Sequence, residues 1–294
     1  MSTARSSCLI VLSGDKDGNS APSFIQTFTL LHSTFTVQIA TPGGKPLEFV
    51  NQDDQSRRWL NDFRMKVFAI PISLQTVDRE LHMPLEAIPT WLIYHRLLFY
   101  LFFAANRYMC LIIPHSPGAV QDLCENNDLA HILKHFIQEK KPICAIGMGV
   151  SGLFSAIEDG DIWSFRRYTL TAVSPQEWYS TPVAVGTLFF FVSRFSAIED
   201  GDIWSFRRYT LTALSVFELA RSPDFANLPV IPEDVIKDRG ALYSSSDPDE
   251  VHVVVDRHLI TGQNEQSTLT AVQNLVLLCN QKQQGNPLRK DRHL

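Results

Sequence analysis

Apolar residues along the chain fall into two alternating rhythms. Residues 8–14 read CLIVLSG, an unbroken apolar run closed by Ser13 and Gly14, the pattern of a strand buried on both faces. The next stretch, SAPSFIQTFTLLH, sets Phe24, Phe28 and Leu31 at helical spacing, and FTVQIATPGG then alternates and stops at a turn. This predicts a β-α-β opening. The order recurs further on, with YMCLIIP (108–114) as a strand, DLAHILKHFIQEKK as a helix and KPICAIG as a strand entering a glycine-rich turn. Towards the end, EVHVVVD and HLITGQ read as paired short strands, and STLTAVQNLVLLCNQ as a closing amphipathic helix. Strands alternating with helices predict a mostly parallel sheet covered on both faces.

Two stretches break that rhythm. Residues 79–106 are the densest in aromatic and aliphatic side chains, and their core WLIYHRLLFYLFFAA (91–105) carries His95 and Arg96. A membrane span needs about 20 apolar residues and tolerates a central Arg poorly, so the run reads as a buried or poorly folded insert with no membrane span. The second is an internal repeat, FSAIEDGDIWSFRRYTLTA, at 154–172 and again, letter for letter, at 195–213. Repeat architectures diverge and need several units, so two identical copies point to a recent duplication or alternative splicing. One copy is expected to be surplus.

Composition narrows the class. The 294 residues are 45% hydrophobic, enough for a full core, and the net charge of −5 argues against direct nucleic-acid binding by this chain. Five scattered cysteines without a CxxC pair favour reduced thiols in a cytoplasmic protein, and the short apolar run after the N-terminus is no signal peptide. The polar end, 281–294, reads as a disordered tail.

Three motifs invite chemistry and each has a plainer reading. GMGVSG (147–152) is a literal GxGxxG, but a dinucleotide site needs an acidic residue about 20 positions on, where the chain reads YTLTAV. His131 and His135 stand four apart on one helix, yet Ile132 sits where a metalloprotease has Glu, so no metal site is expected. Cys144 lies within an apolar strand, where a thiol is an inert small hydrophobe.

In order and spacing, IATPGGKPLEF, YMCLIIPHSPGAVQDL, KPICAIGMGVSGL and DRHLITGQN resemble the signature blocks of the PfpI-type, class I glutamine amidotransferase-like superfamily. The resemblance implies a flavodoxin-like three-layer α/β/α sandwich: one domain over 1–280, interrupted by an insert at 79–106 and a duplicated insert at 173–213. Active members place a Cys, followed by His, on a strained elbow after the KPVAA-like strand. Here those positions hold Gly147 and Met148. Their oxyanion loop reads PGGHG, and here it is Pro114, His115, Ser116, Pro117, Gly118. Their first-helix Glu has no counterpart in Ser20, Ala21 or Pro22. The resemblance therefore implies a vestigial pocket of His115, Ser116, Gly147 and Met148, with no catalytic residues, no metal and no cofactor. A Ser116–His115 pair as a new catalytic centre, giving residual hydrolase or glyoxalase-like chemistry, is the alternative. Adjacent loop residues point apart, which disfavours it.

The animal members that this chain is most similar to are subunits of the FERRY complex, a Rab effector complex that links mRNA to early endosomes. By that resemblance the expected role is a non-catalytic scaffold, a pseudoenzyme, homo-oligomeric, cytoplasmic and endosome-associated, with the other subunits as partners.

Overall fold

Alternate residues of the first strand face opposite layers, and the tertiary structure uses both sets. The computed structural model describes residues 5–82, 108–159, 202–222 and 225–285. In chain order its strands and helices begin with β1 (Ser7–Val11), β2 (Asn19–Ser20), α1 (Ala21–Thr34), β3 (Thr36–Thr41), β4 (Phe49–Val50), α2 (Asp54–Arg64), β5 (Ile72–Ser73) and α3 (Leu74–His82). They continue with β6 (Tyr108–Ile113), α4 (Ala119–Asp122), α5 (Asn127–Gln138) and β7 (Ile143–Ile146). A 3-10 segment, Gly147–Ser155, follows β7 and precedes β8 (Ile157–Asp159) and β9 (Asp202–Trp204). The last part holds β10 (Thr210–Leu211), α6 (Val216–Leu219), α7 (Pro232–Asp238), β11 (Leu242–Tyr243), β12 (Val253–Asp256), β13 (Leu259–Gly262) and α8 (Thr268–Gly285).

Seven strands form one sheet in the order β12-β13-β7-β6-β1-β3-β5, parallel throughout except for the antiparallel β12–β13 pair. Cys8, Ile10 and Leu12 of β1 and the loop after it, Cys110 and Ile112 of β6, and Cys144 and Ile146 of β7 face one apolar layer. There they meet Phe24, Phe28 and Leu31 of α1 and Ala271, Leu275 and Cys279 of α8. Ser20 caps α1 by accepting from Ser23 N at 3.2 Å, and Pro22 sits in the first turn, where a missing N–H costs nothing. The opposite layer holds α3 and α5, with Leu129, Ile132, Leu133 and Phe136 buried along α5. This is the flavodoxin-like three-layer arrangement that the sequence predicts, and the strand order reverses between β1 and β6. Ligands of open α/β sheets sit at that reversal, outside the carboxyl ends of the strands.

Several elements differ from the sequence reading. α2 was not anticipated, because its inward residues Leu60 and Phe63 lie among charges; an Asp53–Ser56 capping box starts it. α8 runs on to Gly285, through the first residues of the predicted tail, because Gln and Lys sustain a helix once its buried half is docked. α3 likewise extends to His82 inside the predicted 79–106 insert. The apolar run 91–105 lies outside the described residues, and among those described no helix is long and apolar enough to cross a membrane.

The duplication resolves in an unexpected way. Ile157–Asp159, from the first copy, pairs antiparallel with Asp202–Trp204, from the second, as a separate small unit over 157–205. The second copy also supplies Phe206, Tyr209, Leu211 and Ala213, all buried, and its Thr210–Leu211 pairs with β11. Burial of these side chains places 206–213 in the fold. Residues 160–201, with the first copy's YTLT, lie outside the described residues.

Candidate functional site

The loops after β1, β6 and β7 converge at the sheet's reversal point. After β1, Ser13 Oγ and Gly14 N donate to the Asp122 carboxylate, each at 2.8 Å, tying the first loop to α4. Burial holds the Asp122 carboxyl above the usual Asp range despite these donors.

After β7 the backbone turns sharply, and Gly147 takes φ of +54°, the left-handed region that a side-chain-bearing residue enters only under strain. A Cβ built on Gly147 would lie 2.3 Å from Nδ1 of His115. The imidazole thus occupies the space into which a residue-147 side chain would project. Nδ1 also accepts a hydrogen bond from the Met148 backbone N–H at 3.1 Å. That amide follows the position that the family resemblance aligns with a nucleophile, the place from which an elbow donates to a developing oxyanion.

His115 is held by its backbone as well as its ring. Its N–H donates to Ser23 Oγ at 3.1 Å, its carbonyl accepts from Ser20 N at 2.9 Å, and Ser23 Oγ meets Thr268 Oγ1 at 2.9 Å. Because Nδ1 is an acceptor, the neutral ring carries its proton on Nε2. Burial lowers the His115 pKa, against the opposing pull of the Glu265 and Glu218 carboxylates. Ser116, fully buried, donates from Oγ to Pro114 O at 3.1 Å and so does not pair with His115.

The two carboxylates escaped the sequence reading. Glu265, in the turn after β13, accepts from Ser20 Oγ, so a carboxylate reaches the start of α1 from another part of the chain. Glu218 accepts from Ser215 N and Oγ at 3.0 and 2.8 Å, Gln263 Nε2 at 3.0 Å, Asn264 Nδ2 at 2.8 Å and Asp249 N at 3.1 Å. Burial alone would raise its pKa, but these donors outweigh it and hold the carboxyl below the usual Glu range. The buried Gln263 and Asn264 of the LITGQN block are what Glu218 organises.

The glycines of GMGVSG are accounted for by packing. A Cβ on Gly149 would meet Pro114 O at 2.3 Å, and one on Gly152 would meet Ile113 Cδ1 at 2.9 Å. Every residue of this segment is buried, so its glycines serve close approach to β6. Cys144 lies fully buried in β7, where loss of water pushes its thiol well above the ordinary range. His131 Nδ1 lies 3.3 Å from Asp78 Oδ2, and His135 Nε2 lies 3.2 Å from Lys141 Nζ. Among the described residues no group of three or more His, Cys, Asp or Glu side chains is arranged to hold a metal ion.

No protein-family profile matches the chain. It is 40% identical over 274 residues to glutamine amidotransferase-like class 1 domain-containing protein 1 of Xenopus laevis, covering 93% of this chain and 90% of that one. To the human protein of the same name it is 39% identical over 275 residues, covering 94% of each. Among solved structures, it superposes on Rapid Encystment Protein 24 kDa of Francisella tularensis with a TM-score of 0.61 at 17% identity, over 93% of this chain and 99% of that one. The glyoxalase III of Candida albicans gives 0.58 at 13% identity, over 92% and 96%. At such identities the likeness concerns fold alone, whereas the animal sequences match at 39–40% identity over 93–94% of this chain. The chain therefore belongs to the glutamine amidotransferase-like class 1 domain-containing protein 1 family, built on a PfpI-type flavodoxin-like fold.

Proposed function

We propose that this chain is a pseudoenzyme scaffold, a non-catalytic subunit of the FERRY type of early-endosomal Rab effector complex linking mRNA to endosomes. The observation that carries the non-catalytic part is the plug at the elbow. His115 fills the space of a residue-147 side chain and takes up the Met148 amide, so nucleophile and oxyanion donor are removed by one contact. Loss of a nucleophile alone costs about six orders of magnitude in a well-studied hydrolase. The residual hydrolase or glyoxalase-like alternative would need Ser116 or Cys144 as nucleophile. One is turned to Pro114 O, and the other is buried as a protonated thiol.

The assembly part of the reading rests on the family resemblance. It entails a cytoplasmic, endosome-associated homo-oligomer whose partners are the complex's other subunits, with no cofactor and no direct contact to nucleic acid. Two measurements test the halves separately. Purified protein should show no glutaminase, peptidase or glyoxalase turnover above a buffer blank; a thiol-dependent rate abolished by Cys144→Ser overturns the pseudoenzyme. Affinity purification with mass spectrometry should recover Rab-effector subunits, and their absence from a soluble, folded preparation overturns the scaffold.

A further inference from the structure

The end of α2 carries a surface that the elbow does not explain. Phe63, with half-buried Trp59, joins Phe24, Phe28 and Phe68 in a cluster of rings, with centroids 5.2 Å apart for Phe24–Phe63, 5.3 Å for Trp59–Phe63 and 5.5 Å for Phe28–Phe68. On this base the chain turns tightly through Val67–Ala69, held by Lys66 N to Phe63 O at 2.9 Å and Ala69 N to Lys66 O at 3.0 Å. The turn leads Ala69 inward and leaves Met65, Val67 and Ile70 at 84%, 87% and 68% exposure, with the edge of Phe68 open at 39%. Arg57, Arg58, Arg64 and Lys66 are exposed along α2 and the turn, against Asp53, Asp54 and Asp62, with Arg57 Nη1 3.5 Å from Asp54 Oδ1, in a chain whose net charge is −5.

Folding gains nothing from holding three aliphatic side chains in water on a rigid base. Three such side chains are far from filling the roughly 800 Å² per partner that a stable protein interface buries. A small apolar tip flanked by Arg64 and Lys66 fits a different occupant, since lipid surfaces reward shallow apolar insertion together with nearby Lys and Arg.

We propose that residues 57–70 dock reversibly on an anionic lipid bilayer, with Met65, Val67 and Ile70 entering the headgroup layer and the four cations facing lipid phosphates and carboxylates. The inference stands apart from the pseudoenzyme reading, because none of these residues touches the elbow.

The test is co-sedimentation of the full chain with vesicles of phosphatidylcholine containing phosphatidylserine, against phosphatidylcholine alone, at low and high salt. Binding is expected on the anionic vesicles only, falling steeply with salt. The combined variant Met65→Ser, Val67→Ser, Ile70→Ser and the pair Arg64→Glu, Lys66→Glu are each expected to weaken it roughly tenfold at unchanged melting temperature. No binding by the parent chain overturns the proposal, as does equal binding to neutral vesicles. Binding that survives both variants overturns it in favour of the apolar run 91–105. A change in the free protein's sedimentation on mutation, without vesicle binding, overturns it in favour of a second copy of the chain.

Discussion

Two loops leave the carboxyl ends of adjacent parallel strands, and they meet in one space with opposite endowments. After β7 the sharp turn carries no side chain, with Gly147 at φ +54°. After β6 the loop carries His115, whose ring reaches across to the Met148 amide. The bare turn and the ring are one arrangement: the ring fits only because residue 147 has no Cβ. Adding a side chain at 147 alone should therefore cost stability.

The sharpest way to break this coupling is Gly147→Cys. Its Cβ meets the imidazole in a left-handed backbone position, so thermal melts should show a loss of about 3 kcal/mol. Adding His115→Gly should recover the steric share of that loss. If the single variant melts like the parent, or the double variant recovers nothing, the loops are not coupled.

Glu218→Ala probes the polar frame beside the plug. It leaves the Gln263 and Asn264 side chains each without an acceptor they now use, and chemical unfolding should report a loss of about 2 kcal/mol. An unchanged midpoint would mean that the LITGQN block is held without it.

Acid should act on the His115 side chain and leave the glycine indifferent. The folded pKa of His115 is lowered, so its contribution is complete above about 6.5, the unfolded value, and is lost as pH falls below that toward the folded value. His135 is lowered too, and His258 is lowered to about 4, so they act in the same sense, while Asp122, raised by burial, opposes them at the acid end. The melting temperature should fall by a few degrees between pH 7 and pH 5. His115→Asn, which keeps an acceptor for the Met148 amide, should flatten that slope by about 1 kcal/mol or less. A slope unaltered by His115→Asn would place the titration elsewhere.

The smallest effect is expected away from both loops. Removing 173–213 leaves the same chain as removing 154–194, because the two copies are identical. The product should melt within a few degrees of the parent, or above it, because it keeps one copy of the buried 206–213 sequence. A larger drop would mean that residues within 160–201 are packed.

How far the molecule could be read in advance follows from these contrasts. β1, α1, β3, β6, α5, β7, β13 and α8 announced themselves because apolar period and buried face coincide, as with Phe24, Phe28 and Leu31. α2 did not, since its inward residues are few and its outward ones strongly polar. At the site, Gly147, Met148, His115 and Ser116 were legible as departures from a family pattern. Their mutual geometry was not, because a ring filling the space of another residue's missing side chain has no signature in either segment. Glu265 and Glu218 were missed for the same reason: each reaches the site from a turn or short helix far along the chain. Glu265 did leave one trace, a carboxylate directly after LITGQN.

The small hairpin has a practical meaning of its own. With Asp159 paired to Asp202, two positions far apart in the chain stand opposite each other on neighbouring antiparallel strands, a separation that a short turn could also span. The chain has in effect built a socket. A foreign domain whose own termini lie close together could be spliced between Asp159 and Asp202 without changing strand register, turning this position into a port for a fluorescent or affinity module.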